Sequence, residues 1–369
     1  MNIQHCSYPP LQQNPGKLLA IREWSPSSVA TETMEPQLIA LNEQQQVWKI
    51  DLLSGAVQRI AQLDLMEFHA THPVQLVISP CGRFAAVSNT LGRHAVVLNL
   101  ESGNMVMELN RGEYHYDKST YPLAFVQRDQ QVLLIHGKDW NRLELTSLLP
   151  DVRAISERPV PQVHSDSYSR DDHYLDYFHG QLHVSPDGKY VAETGWAWTP
   201  VGITVAWSMD DWMNNVWESE DGESRDRIWS PLIDWDVPMV WLDHERLAIW
   251  GQVDEDMLDE EDWDTEGTAP AILIYHVNQR TRQKVLLEVP AFSMDSGIED
   301  VFMHPQAQLA VSSAGTLFAW GQGLPLYSWN LTDWQVEIHD YPALPDLYHV
   351  QADSFLKIED GRIEAWRFL

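Results

Sequence analysis

The stretch His164 to His183, HSDSYSRDDHYLDYFHGQLH, gathers the side chains best able to do chemistry: His164, Asp166, Asp171, Asp172, His173, Asp176, His179 and His183. Imidazole and carboxylate together suit zinc, manganese or ferrous iron, and the spacing of His173, Asp176 and His179 lets one loop supply several ligands. The candidate metal ligands are therefore His164, His173 and His179. Enrichment is not a geometry, and the plain alternative is a polar surface loop with a satisfied histidine or two.

Two other stretches compete with it. The acidic run DEDMLDEEDWDTEG, Asp254 to Gly267, suggests calcium, but it lacks the glycine at the sixth loop position and the spaced oxygen ligands of an EF-hand. Its simpler reading is a solvated insertion, because blocks of like charge repel. The tryptophans are concentrated as well, ten of the seventeen falling between Trp196 and Trp263. Trp207, Trp241 and Trp250 lie in strand-like runs and read as core. Trp196 and Trp198, in ETGWAWTPVG, sit beside Gly, Pro and Thr in an expected loop, where a rigid apolar face with one polar donor is a binding candidate. The binding set expected from these stretches is His173, Asp176, Trp196, Trp198, Asp254, Asp256 and Trp263.

Motifs for covalent or cofactor chemistry are missing. There is no Gly-x-Ser-x-Gly elbow and no phosphate-binding Walker loop, and GQGLPL at Gly321 fails the third glycine of a dinucleotide fingerprint. No catalytic residue and no cofactor is expected. With 24 basic against 54 acidic residues the formal charge is −30, which repels phosphate backbones and anionic membranes and favours basic protein or peptide partners. Cys6 and Cys81 form neither a disulfide framework nor a Cys-x-x-Cys pair. The N-terminus has no basic segment followed by an apolar one, and no apolar run reaches the roughly 20 residues of a membrane helix. The expected setting is soluble and cytoplasmic.

The elements that must position these residues announce themselves through a turn. HVSPDGKYVA, His183 to Ala192, has a looser copy in VISPCGRFAAV, Val77 to Val87. Proline sets φ for a type I turn, Asp bonds its own backbone, and Gly supplies the positive φ that ends the turn before the next strand. Equivalent turns are placed at Pro26, Pro80, Arg128, Pro186, Asp243, Pro305 and Ala352, at intervals of 54, 48, 58, 57, 62 and 47 residues. A second hairpin follows in most units, as in VWKIDLLSGAVQRI and AVVLNLESGNMVMEL. Four short strands repeated seven times, with almost no helical period, describe an all-β chain: a seven-bladed β-propeller of four-stranded antiparallel blades.

The turn SPDGKY followed by VA resembles the repeat of TolB-like and WD-repeat β-propellers. The resemblance implies the superfamily and no particular member. The Trp-Asp pairs at Trp235 and Trp263 fall in loops, not at the end of a third strand, so no functional residue carries over.

The last unit is one strand short, and residues 3–8 are the expected donor, closing the ring. One domain spanning 1–369 follows, with acidic loop insertions at 218–226 and 254–267. Strand order then puts the His164 to Phe178 link and the loops Gly195–Gly202 and Gly251–Thr268 on one face, opposite the turns at Gly82 and Gly188. Glu218–Asp226 joins that face if a strand begins near Trp212. Two function classes remain: a non-enzymatic binding propeller with an acidic, tryptophan-rich face, or a metal-dependent hydrolase or lyase acting on a carbohydrate or lactone through the 164–183 loop.

Overall fold

Strands account for nearly all of the regular structure. The computed structural model describes residues 3–24, 35–128, 130–159, 161, 163–164, 169–198, 201–230, 235–253, 269–286, 307–322, 324–341 and 343–368. After β1 (Ile3–Ser7), a first sheet holds β2 (Leu18–Trp24), β3 (Gln37–Asn42), β4 (Gln46–Asp51) and β5 (Val57–Gln62). A second holds β6 (Val74–Ile78), β7 (Phe84–Asn89), β8 (His94–Asn99) and β9 (Met105–Asn110). The third is β10 (Leu123–Arg128), β11 (Gln131–Asp139), β12 (Arg142–Leu149) and β13 (Arg153–Ala154). A small hairpin, β14 (Val163–His164) and β15 (Ser169–Arg170), lies in the link that follows.

The fourth sheet is β16 (Leu182–Val184), β17 (Tyr190–Ala197), β18 (Val201–Ser208) and β19 (Asp226–Trp229). Between its last two strands run α1 (Met209–Asn214) and α2 (Glu218–Asp221). The fifth is β20 (Met239–Trp241), β21 (Arg246–Val253), β22 (Ala269–His276) and β23 (Thr281–Leu286). The sixth is β24 (Ala307–Val311), β25 (Thr316–Gly321), β26 (Leu324–Asn330) and β27 (Val336–His339). The seventh is β28 (Leu347–His349), β29 (Ser354–Glu359) and β30 (Arg362–Phe368), completed by β1. This is a seven-bladed β-propeller, and its N-terminal strand closes the last blade in register from Ile3 opposite Phe368 to Ser7 opposite Glu364.

Burial follows from blades packing face to face. Inner strands such as β7 are buried along their whole length, while the outermost β5 and β9 alternate and expose polar groups. The chain forms two compact units, Met1–Asn110 with Ala310–Leu369, and Arg111–Leu309. In the first, Ile39, Leu41 and Val47 pack on Leu76, Ala85 and Val87 of the second blade. Phe318 and Trp320 pack on Phe355 and Trp366. In the other unit, Leu133 and Leu143 meet Trp207 and Trp212, and Trp229 meets Trp241 and Leu273. The reading of Trp207, Trp241 and Trp250 as core holds, all three being buried.

The repeated turn works as the sequence suggests, with one displacement. Gly82 and Gly188 both have φ of 70°, and Ser79 and Ser185 each accept the amide that opens the following strand. The same device recurs at Ser312–Gly315, where Gly315 has φ of 80° and Thr316 N donates to Ser312 Oγ at 3.0 Å. That turn joins β24 to β25, so the sixth blade's first turn is not at Pro305. SSAG carries no proline, and the serine and glycine are what the geometry uses. Pro305 and Pro26 lie outside the described residues.

A second correction concerns Glu218–Asp226. Trp212 sits in α1, capped by Ser208 Oγ, and the fourth strand begins at Asp226. Met209 N donates to Lys189 O at 2.8 Å, so the helical insertion leaves the blade at the end that carries the Gly188 turn. A serine cap followed by two aspartates in the first turn favours a helix start there. The insertion at 254–267 falls outside the described residues.

Candidate functional site

Within Arg111–Leu309, five chain segments bring aromatic side chains together at the end of the blades away from Gly188. They are the lead into the third blade (Tyr114, His115), the β11–β12 turn (Trp140), the link before β16 (Phe178), the β17–β18 end (Trp196, Trp198) and the lead into the fifth blade (Trp235). Trp196 is not in a loop, as expected, but in β17 opposite Gly202, and buried; Trp198 follows in the turn, 44 % exposed.

Phe178 is the centre of the stack. Its ring lies 4.1 Å from that of Trp196, at 4° between planes, and 4.4 Å from Trp140. Phe178 and Trp196 also exchange backbone hydrogen bonds of 2.7 and 3.1 Å, which makes the link a short extra strand on β17. Trp235 flanks Trp196 at 5.4 Å, and its Nε1 donates to Lys118 O at 2.7 Å. Above this buried layer, Tyr114 is 47 % exposed and meets Trp198 at 6.0 Å, and His115 meets Trp198 edge-on at 5.1 Å. Offset and edge-on pairs of this kind each add about 0.5–1.5 kcal/mol beyond area burial. The exposed rings are therefore held rigidly.

Buried polar groups fix the loops beneath. Asp236 accepts Thr120 N at 2.8 Å and Gln181 N at 2.5 Å, tying the leads of three blades to one carboxylate. Arg111 donates to the carbonyls of Tyr116, Thr120 and Ser119 and lies over the Tyr121 ring. Burial draws Arg111 down to about 10, with Tyr121 and Asp236 acting in the opposite sense, so it stays a cation at neutral pH. His179 and Glu193 are fully buried, 2.7 Å apart, and the other Glu193 oxygen accepts Gly180 N.

The expected site residues divide between several settings. Trp196 and Trp198 belong to the stack, 5.4 Å apart. His173 instead stacks on Trp217 at 4.5 Å and faces Asp221 through Nδ1 at 2.9 Å. Asp176 pairs with Arg170 at 2.8 Å, and His179 serves the buried pair just described. His164 pairs with Ser169 through the backbone. Asp254, Asp256 and Trp263 lie outside the described residues. Among the described residues, no three His, Cys, Asp or Glu side chains come close enough to hold a metal ion, and no helix is long and apolar enough to cross a membrane.

Sequence reasoning missed Tyr114, His115, Trp140, Phe178 and Trp235. One signal was available: the loop Trp-Asp pair at 235–236, an aromatic followed by a residue tolerant of positive φ, here 53° at Asp236.

No family model and no curated protein matches the sequence. Solved structures do match in shape. Hydrazine synthase of Kuenenia stuttgartiensis aligns at a TM-score of 0.57 and 12 % identity, over 97 % of this chain and 99 % of that one. The Cps50 (Swd1) β-propeller domain of Myceliophteria thermophila aligns at 0.53 and 12 %, over 99 % and 100 %. A chain of a mitotic checkpoint complex aligns at 0.52 and 11 %, over 99 % and 93 %. At these identities the likeness establishes the propeller fold and nothing finer.

Proposed function

We propose that this protein is a non-enzymatic interaction module that holds a protein or peptide segment against the exposed rings of Tyr114 and Trp198. The observation that carries the reading is the pairing of two half-exposed aromatic rings with a buried aromatic layer. Large rings on a rigid support are the usual anchors of interfaces, because they bury much area and lose little side-chain entropy. Propeller neighbours that take part in protein assemblies, such as the chain of the mitotic checkpoint complex, are consistent with this use of the fold. The partner is proposed to be basic, since the chain carries a formal charge of −30.

The test is selection of peptides from a random library, followed by titration against the native protein and the Trp198→Ala and Tyr114→Ala variants. Each substitution should weaken binding by roughly 30-fold, the loss of a typical anchor, in a variant that stays folded at the assay temperature by circular dichroism. Added salt should weaken it further, because exposed charges are screened beyond about 8 Å at physiological ionic strength. Equal affinity for both variants and the native protein refutes the reading.

A further inference from the structure

A cavity of about 700 Å³ opens in the other unit, beside the turn between β3 and β4. Its size falls within the range of small-molecule sites, about 300–1,000 Å³. Gln13, Asn14, Gln44, Gln46, Trp48 and Arg59 supply its polar walls. Although the chain has 54 acidic residues, the described lining contains no carboxylate, no imidazole and no aliphatic side chain other than Pro15.

A bulge shapes this end of the blade. Pairing runs from Val47 opposite Ala61 to Trp48 opposite Arg59, so Ile60 is the extra residue and Trp48 and Arg59 become direct cross-strand neighbours. Trp48 is 6 % exposed, and its indole N–H has no partner among the described residues.

Hydrogen bonds within the walls decide which atoms are left for a ligand. Gln46 Oε1 accepts from Asn42 Nδ2 at 2.9 Å, and Asn14 Oδ1 accepts from Gly16 N at 2.9 Å, which leaves both NH₂ groups to donate. Gln44 Nε2 donates to Glu43 Oε1 at 2.8 Å, which leaves its carbonyl to accept. Among the described residues the Arg59 guanidinium has no ion-pair or hydrogen-bond partner. The walls thus offer amide donors, the carbonyl acceptors of Gln13 and Gln44, and one guanidinium without an ion-pair partner among the described residues. A tightly held transition-metal ion would need thiolates, carboxylates or imidazoles, and an apolar peptide side chain would need an apolar subsite. Neither set is present in the described lining. A polyol with one carboxylate matches the walls, because hydroxyls both donate and accept and a carboxylate suits the planar fork of arginine.

We infer that this cavity binds an acidic sugar, its hydroxyls held by Asn14, Gln44 and Gln46 and its carboxylate by Arg59. The inference does not depend on what occupies the aromatic stack. Calorimetric titration of the whole protein with D-glucuronate and with D-glucose tests it. Glucuronate should bind at least about tenfold more tightly than glucose, and Arg59→Gln should erase that difference, consistent with loss of a charge-assisted pair. Gln46→Leu should weaken both sugars, and Trp198→Ala should change neither, which separates this site from the proposed peptide surface. Arg59 is exposed, so its variant is expected to fold, as circular dichroism will verify. No saturable glucuronate binding, binding indifferent to Arg59→Gln, or displacement by sulfate as effective as by glucuronate would each overturn the assignment.

Discussion

Acidification from about pH 7.5 to about pH 5 should loosen the Arg111–Leu309 unit through two histidines, His136 buried and His183 half-buried with its Nε2 shielded from solvent. His136, on β11, has Nε2 3.1 Å from Thr146 Oγ1; His183, on β16, has an Nε2 with no partner among the described residues. Burial holds both down to about 4 from an ordinary 6.5, and the neighbouring Glu144 and Asp236 offset this only in part. The folded histidine stays neutral while the unfolded chain takes up the proton. Stability is therefore full above about pH 6.5 and falls progressively as the pH drops from there to about 4. With these values the linkage relation gives a loss of about 2 kcal/mol per histidine at pH 5, about 4 kcal/mol for the pair. Urea unfolding followed by tryptophan fluorescence at both pH values, for the native protein and for His183→Gln, isolates one of them. Whatever constant cost the substitution carries cancels in the double difference, as do carboxylates common to both proteins. The variant should lose about 2 kcal/mol less than the native protein over the interval. Equal losses would show that His183 is not held neutral by burial, and the reasoning would fail.

Three further outcomes are expected. Phe178→Ala removes the centre of the aromatic stack and should cost about 3–5 kcal/mol, read as a lowered urea midpoint. Glu220→Ala leaves Arg158 without its buried carboxylate, both side chains being no more than 4 % exposed, and should cost a similar 3–5 kcal/mol, with Glu220→Gln milder. Removing residues 1–7 strips β30 of its partner and exposes an edge strand, so light scattering during storage should rise along with the fall in stability.

The propeller was legible because its signals are local. A serine whose hydroxyl and carbonyl both cap a turn, followed three residues later by a glycine at positive φ, writes the first hairpin of a blade into four letters, as at Ser79–Gly82 and Ser185–Gly188. The same argument predicted the donor strand at residues 3–8, since a sheet of three strands needs a fourth. Where the letters thinned, placement slipped. Ser312–Gly315 keeps the chemistry without the proline, and Pro305 drew the turn away from it. A strand beginning near Trp212 was the expectation, and the helix capped by Ser208 takes its place.

The aromatic stack was harder to foresee, and the reason is topological. Tyr114, Trp140, Phe178, Trp198 and Trp235 come from separate connections, and no sequence period links them, because each connection varies in length while the blades beneath stay constant. What joins them is polar: Asp236 reaches the amides of Thr120 and Gln181, and Ser119 Oγ donates to His179 O at 2.7 Å, so the leads of successive blades are fastened together below the rings. A buried carboxylate that accepts two backbone amides from different segments is costly to desolvate, and it persists only where those segments must keep a fixed spacing. The rings inherit that spacing. His173 and Asp176 make contacts of their own. They lie a few residues before Phe178 in sequence, and their side chains contact Trp217, Asp221 and Arg170, while Leu175 between them accepts at 2.7 Å from the side chain of Asn141, the neighbour of Trp140. The hydrogen bonds of Phe178 with Trp196 mark where the link joins the blade and sets the ring of Phe178 among the others.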